Sequence, residues 1–149
     1  MKKRIRPLTI IGRYESVRFC SLSNEWIQAK IDTGAYTSSL HCLNIHEQVL
    51  EGKNKLCFSI FSDNPVQRNY CFEHFSKKKI KSSTGEIEER YVIKTLIEIA
   101  GRKIMSTISL ADRGSMKFPV LIGRKLLKKK FLVDVDKSFI GGLHTENIK

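Results

Sequence analysis

The sequence is poor in negative charge and contains no long apolar run. Its 149 residues include 15 Asp and Glu against 27 Lys and Arg, so the formal net charge is +12. This imbalance favours an acidic partner such as nucleic acid, an anionic membrane surface or a Glu-rich polypeptide. Because no segment approaches the length of a membrane-spanning helix, we expect no membrane partner. The basic runs at 77–81 and 125–130 are interpreted as solvated faces, since such runs carry no geometry of their own.

Motifs for nucleotide and redox chemistry are also absent. The chain has no GxGxxG and no P-loop pattern, so we expect no bound nucleotide and no other cofactor. The apolar stretch in the basic N-terminal residues 1–11 is far shorter than that of a signal peptide, which predicts a cytoplasmic protein. The cysteines show no CxxC spacing, and in such a protein they are expected to be reduced, mostly buried thiols: Cys20, Cys42, Cys57 and Cys71.

A zinc-peptidase motif begins at His46 but is not completed. The segment His46–Leu50 (HEQVL) starts like HExxH, yet Leu50 stands where the second His is required. Without that ligand a helix cannot present two imidazoles on one face, and no other Cys or His pair has zinc spacing. We therefore predict no metal site and interpret the nearby His41 as structural. A zinc-dependent peptidase remains a third functional hypothesis.

Short β-compatible segments dominate the chain. Apolar runs rich in β-branched and aromatic residues alternate with Gly, Asn, Asp and Ser, and helical periodicity is scarce. One short helix is predicted at Gly123–Lys130, between strands at Phe118–Ile122 and Phe131–Val135. The segment Asn44–Leu50 fits either a helical turn or an irregular loop. The other predicted strands are Leu8–Tyr14, Trp26–Asp32, Ser39–Leu43 and Lys55–Phe61.

Two hairpins are predicted. The stronger one joins Arg90–Ile99 to Arg102–Ala111 through Ala100-Gly101, a compact turn between two long β-compatible runs. Alternate residues of its first arm are apolar or Thr, which indicates one buried face. The second hairpin turns at Ser82–Gly85 between polar segments and is expected to protrude. It is interpreted either as a flap over a bound peptide or as a plain exposed tip.

The length of the chain fits one domain. A chain of 149 residues can bury one substantial core but not two comfortably. We predict a single domain over residues 1–140, followed by a loose C-terminal tail over residues 141–149 after the Gly-Gly break.

The strongest chemical signal is the run Ala29–Ala35 (AKIDTGA), in which a strand-like segment delivers Asp32 into a Thr-Gly turn. This run has the aspartic-protease signature. The chemistry needs two carboxylates on rigid turns that share a proton, so that one acts as base toward water and the other as acid toward the substrate carbonyl. Thr33 is expected to hydrogen-bond across a dimer, and Gly34 to allow close approach of the partner and the substrate.

A second segment supports this interpretation. Val120–Leu127 (VLIGRKLL) places apolar residues and a Gly before a short helix, at a domain-sized separation from Asp32. Retropepsin-type domains, which this chain resembles, carry an apolar-apolar-Gly-Arg segment of this kind that meets the Asp-Thr-Gly turn from beneath. The resemblance implies a mostly β, retropepsin-like acid-protease β-barrel with one short helix in the C-terminal half.

Nearly the whole chain also resembles a bacterial family known as ATP-dependent zinc proteases, often encoded near ATP-grasp glutamate ligases that modify a ribosomal protein. Since no nucleotide motif is present, any ATP dependence would have to come from a partner. The segments that carry the resemblance are Ile11–Arg13, Ala29–Ala35, Thr37–His41, Glu89–Ile93, Phe118–Arg124 and Phe131–Asp134.

Position 36 departs from both groups. Retropepsins commonly place an acidic residue there, where it pairs with the Arg of the Gly-Arg segment, and the bacterial family usually has Arg. This chain has Tyr36, so Arg124 must find another partner. Ala35 and Tyr36 are predicted to line the substrate site. Three arginines are available either to an acidic substrate or to ordinary surface ion pairs: Arg90, Arg113 and Arg124.

Two functional hypotheses stand ahead of the zinc enzyme. The first is an aspartic peptidase that works as a homodimer on a polypeptide, with Asp32, Thr33 and Gly34 as catalytic residues and an acidic or glutamate-bearing substrate suggested. Each chain supplies half a site, because the Thr-Gly context is missing from Asp63, Asp112, Asp134 and Asp136. The second is a non-catalytic basic β-barrel that binds RNA or a ribosomal component. It is not favoured, because aromatic residues are not interleaved with Lys and Arg as stacking platforms require.

Overall fold

Strands make up most of the chain in the computed structural model, which describes residues 6–22, 25–60, 68–81, 85–112 and 118–142. The expected mostly β architecture with one short helix is confirmed. No helix within these ranges is long and apolar enough to cross a membrane. The elements in chain order are β1 (Thr9–Gly12), β2 (Tyr14–Phe19), β3 (Ile27–Ile31), β4 (Ser38–His41), β5 (Leu43–Leu50), β6 (Lys53–Ile60), β7 (Arg68–Phe72), β8 (Ser76–Lys81), β9 (Ile87–Ile99), β10 (Arg102–Ala111), β11 (Val120–Ile122), α1 (Arg124–Leu127) and β12 (Phe131–Asp134).

Six strands pair in a ring, in the order β10, β4, β11, β3, β2 and β9, and β9 pairs in turn with β10. β11 lies between β3, to which it is parallel, and β4, to which it is antiparallel. β9 has β10 along one edge and both β2 and β8 along the other. The ring therefore places β3 and β11, which lead into the two expected site segments, side by side.

The core draws on the ring strands because they alternate apolar and polar residues, and it continues into β6. In β3, for example, Ile27, Ala29 and Ile31 are buried while the residues between them are exposed. The predicted hairpin of β9 and β10 is confirmed, with Ala100 and Gly101 both at positive φ in its turn. That turn geometry matches the twist of antiparallel strands. The expected buried face of β9 is also present.

A separate three-stranded antiparallel sheet consists of β5, β6 and β7. The expectation of a helical turn or loop at Asn44–Leu50 is wrong, because this segment lies within β5. Most of the residues of β5 are exposed, and Glu47 breaks the apolar alternation that marks a half-buried strand. Its pairing with β6 is set by the tight turn at Glu51 and Gly52, both at positive φ.

Cys57 and Cys71 face each other across β6 and β7 and form a disulfide. The expectation of reduced cysteines is therefore wrong for this pair. Cys20 and Cys42 are free, and Cys42 is fully buried. Sequence spacing could not reveal the disulfide, because the two residues are brought together by strand register rather than by a local motif.

We expect reduction of this disulfide to lower the free energy of unfolding by about 3 kcal/mol, because the bond closes a loop with a sequence separation of 14 residues. Urea unfolding with and without dithiothreitol measures the effect. The Cys57→Ala variant is the control and should be insensitive to the reductant. Identical curves for the unsubstituted protein in both conditions would contradict the expectation.

A buried carboxylate ties the end of the described chain to its beginning. Glu15 in β2 is fully buried, which is costly for a charged group unless donors surround it. Its oxygens accept backbone N–H bonds from three residues: Gly12 (2.8 Å), Ile140 (3.1 Å) and Gly141 (3.0 Å). The predicted tail begins at this anchored residue 141, but residues 143–149 lie outside the described ranges.

Candidate active site

Asp32 lies directly after β3, at the start of a tight turn. Its backbone N–H donates to the carbonyl of Ile122 in β11 at 2.8 Å, and its own carbonyl accepts from Ala35 at 3.2 Å. The side-chain Oδ1 accepts the Gly34 N–H at 3.0 Å, so one carboxylate oxygen is held against the turn. The other oxygen, Oδ2, has no hydrogen bond from the residues that the structure describes. The turn thus fixes a partly exposed carboxylate with one oxygen available.

The segment after β11 supports this turn through main-chain hydrogen bonds, which confirms the expected meeting of the two motifs. The N–H groups of Arg124 and Lys125 donate to the carbonyls of Ala35 (2.8 Å) and Tyr36 (3.0 Å). Gly123 is required at the crossing, because a Cβ there would lie 2.6 Å from the Tyr36 carbonyl oxygen. The main chain of the two segments is therefore locked together around Asp32.

Arg124 finds its partners within the turn itself. Its Nη1 donates to the Thr33 carbonyl at 2.9 Å, and its guanidinium carbon lies 5.9 Å from the centre of the Tyr36 ring. The ring is 55% exposed. Arg124 thus makes a cation–π contact with Tyr36, where retropepsins commonly have an ion pair with an acidic residue.

The remaining predicted site residues are not all brought to this turn. Arg90 lies on β9 and its guanidinium binds the Glu88 carboxylate at 3.1 Å, the ordinary ion pair that sequence analysis left open. Arg113 lies outside the described residues, as does most of the Ser82–Gly85 turn. The strands on either side of that turn, β8 and β9, pair as an exposed hairpin.

The base of this hairpin is bound to the separate sheet by a polar cluster. Glu47 of β5 accepts the Tyr91 hydroxyl at 2.7 Å and lies 3.3 Å from the Lys77 ammonium. The hydrogen bond from Tyr91 is the main cause that lowers the pKa of Glu47, and the same bond raises the pKa of Tyr91. The separate sheet therefore helps to position the hairpin on which a flap was predicted.

The histidines and cysteines near β4 do not fit a zinc site. His46 lies in a strand rather than a helix, and its ring nitrogens approach Asn44 O (2.6 Å) and Gln48 Oε1 (3.3 Å). Burial raises the pKa of the Cys42 thiol far above its ordinary range, because desolvation disfavours the thiolate. Across the described ranges, no group of three or more His, Cys, Asp or Glu residues is placed to hold a metal ion.

Sequence reasoning missed one residue that supports the site. Ser38 is buried and its Oγ accepts the Gly123 N–H at 3.0 Å, which joins β4 to the start of α1. A polar residue in an otherwise buried strand was the available signal for Ser38.

The Asp-Thr-Gly turn, supported by a Gly-Arg segment within a mostly β fold, defines a retropepsin-like protein. Residues 10–143 match the RimB-like family, described as retropepsin-like aspartic endopeptidase RimB. The chain belongs to this family.

Some of the proteins similar to this chain are much longer than it is. Two relatives named "Probable alpha-L-glutamate ligase", from Shewanella halifaxensis and Shewanella pealeana, are 36% and 37% identical to this chain over 139 residues. Each match covers 89% of this chain but only 30% of the relative, so the chain spans less than a third of their length. The crystal structure of Lpg0085, a Legionella pneumophila protein of unknown function, superposes with a TM-score of 0.74 at 26% identity, covering 90% of this chain and 98% of that one.

Proposed function

We propose that the chain is an aspartic peptidase that acts as a homodimer, with one Asp32 from each copy in a shared site. The observation that carries the proposal is the Asp32 turn. Oδ1 is held by the Gly34 N–H, while Oδ2 and the Thr33 hydroxyl have no hydrogen-bond partner among the described residues. A second copy of the same turn would supply partners to both groups.

The proposed chemistry needs one proton on the pair of carboxylates. The ionised Asp32 takes a proton from a water held between the two, and the water oxygen attacks the peptide carbonyl carbon. Asp32 of the partner subunit donates its proton to the carbonyl oxygen, which gives a tetrahedral diol. When the C–N bond breaks, the amine leaves with the proton first taken from water, and a diol hydroxyl returns its proton to the partner's Asp32.

The surface that best fits a second copy is the outer face of β1 and β12. These strands form a two-stranded parallel sheet, in which Ile10 lies opposite Leu132. Both residues are more than half exposed, at 56% and 53%, and two further exposed apolar residues flank the strands, Leu8 before β1 and Val135 after β12. Such a patch on a strongly charged chain marks an interaction surface. α1 leads from the segment that binds the Asp32 turn into β12, and the proposal requires that docking at this face bring the two Asp32 turns together.

An acidic polypeptide is the substrate class that we favour. The formal net charge of +12 attracts polyanions. Relatives whose names denote glutamate ligases contain a segment similar to this chain. A peptidase encoded with or within a ligase that adds glutamate would act on chains that carry glutamate.

The shared site is tested by dilution. The rate of hydrolysis per chain is expected to fall as the protein is diluted below the dimer dissociation constant, because one site needs two chains. Cleavage of glutamate-rich peptides, followed by mass spectrometry, measures this rate, and analytical ultracentrifugation measures the dimer. A rate per chain that is independent of concentration, from a protein of monomer mass, would contradict the proposal.

A further inference from the structure

Arg124 is a cation beside the candidate site, and no carboxylate of the described residues binds it. Its side chain is exposed and lies against the turn that carries Asp32. The ion pairs within the described residues involve other groups, and none joins Arg124 to Asp32. The guanidinium is held at the Thr33 carbonyl, and Thr33 is the residue next to Asp32 in the chain.

The geometry leaves most of this guanidinium available. An Arg side chain has five N–H donors, and Arg124 uses one of them at the Thr33 carbonyl. Tyr36 covers one face of the guanidinium and cannot neutralise it, because a ring attracts a cation without carrying charge. The two contacts hold the plane of the group in place. Its free N–H edge remains the part that a ligand can reach.

We propose that Arg124 and Tyr36 form a subsite that binds a side-chain carboxylate of the substrate, next to the bond that is cut. The carboxylate would accept two parallel N–H bonds from the guanidinium, a geometry that Arg provides and Lys does not. Tyr36 is a positioning residue that fixes the guanidinium and packs on the substrate side chain. The adjacent Lys125, whose backbone binds Tyr36, adds positive potential. This inference rests on the proposed function and assigns its specificity to named residues.

The test compares two extended peptides that differ only by Glu or Gln at one position. Binding is measured by fluorescence anisotropy in an Asp32→Asn background, so that discrimination is read without catalysis. We expect the Glu peptide to bind about tenfold more tightly, as a hydrogen-bonded charge pair permits. Adding Tyr36→Asp should reduce this ratio to about one, because the new carboxylate would take the guanidinium edge.

Matched variants separate this subsite from general charge attraction. Tyr36→Phe keeps the ring and should preserve the ratio, and Lys94→Gln on the exposed face of β9 makes the same one-unit change in charge as Tyr36→Asp and should also preserve it. Arg124→Gln, with folding checked by thermal unfolding, should remove the preference as Tyr36→Asp does. Equal binding of the two peptides by the Asp32→Asn protein, no binding of either, or an unchanged ratio in both Tyr36→Asp and Arg124→Gln would overturn the subsite. If the unsubstituted protein cleaves no peptide but the Glu peptide still binds more tightly than the Gln peptide, the result counts against the proposed peptidase alone.

Discussion

Replacing Asp32 by Asn is expected to lower kcat for peptide hydrolysis by at least about a thousandfold, because both copies lose the group that moves protons to and from water. The fold should remain intact, since Asn retains an oxygen that can accept the Gly34 N–H bond now made by Oδ1. Initial rates on glutamate-rich peptides give the change in activity. Circular dichroism and ultracentrifugation report the fold and the dimer in the same samples.

The control for this variant is Glu51→Gln, the same carboxyl-to-amide change in the exposed turn between β5 and β6. Its activity should match that of the unsubstituted protein. If Asp32→Asn hydrolyses peptide at the normal rate, Asp32 has no catalytic role. If the unsubstituted protein also shows no hydrolysis, the basic binding module for RNA or a ribosomal component becomes the better account, and a filter-binding assay with RNA tests it.

The elements that were predictable from the sequence are those with alternating apolar residues or typical turn residues. The hairpin around Ala100-Gly101 was predictable because its two long arms are β-compatible and its turn needs positive φ. The segment at Asn44–Leu50 was not, because β5 buries little and Glu47 interrupts its apolar face. The disulfide between Cys57 and Cys71 depends on the register of β6 and β7, which no spacing rule encodes.

In the candidate site, too, some features were predictable from the sequence and others were not. Asp32 and the Gly123-Arg124 segment were predicted to meet because each belongs to a short motif, and hydrogen bonds between their main chains join them. The partner of Arg124 was not predictable, since a cation–π contact with Tyr36 depends on the path of the chain after the turn. For Arg90 the residue type suggested binding of an acidic substrate, but in the structure its neighbour Glu88 already binds it.

A substitution in the proposed dimer surface is expected to have a large effect on association. Replacing Leu132 by Glu should weaken the dimer by at least about a hundredfold, because two unpaired carboxylates, one per copy, would lie in the apolar contact of β1 and β12. The fold should tolerate the change, since Leu132 is 53% exposed and contributes to the outer face rather than the core. Ultracentrifugation measures the association, and peptide hydrolysis should decline in proportion to the remaining dimer.

Val49→Glu is the control for Leu132→Glu, because it adds the same negative charge to the protein outside the proposed dimer surface. Val49 is 68% exposed on β5, in the separate sheet, so the same change of an apolar residue to Glu should leave both association and hydrolysis unaltered. A Leu132→Glu protein that remains dimeric and active would place the second copy on another surface. A monomeric Leu132→Glu protein that retains full activity would mean that a single Asp32 suffices, and the shared-site chemistry would have to be abandoned.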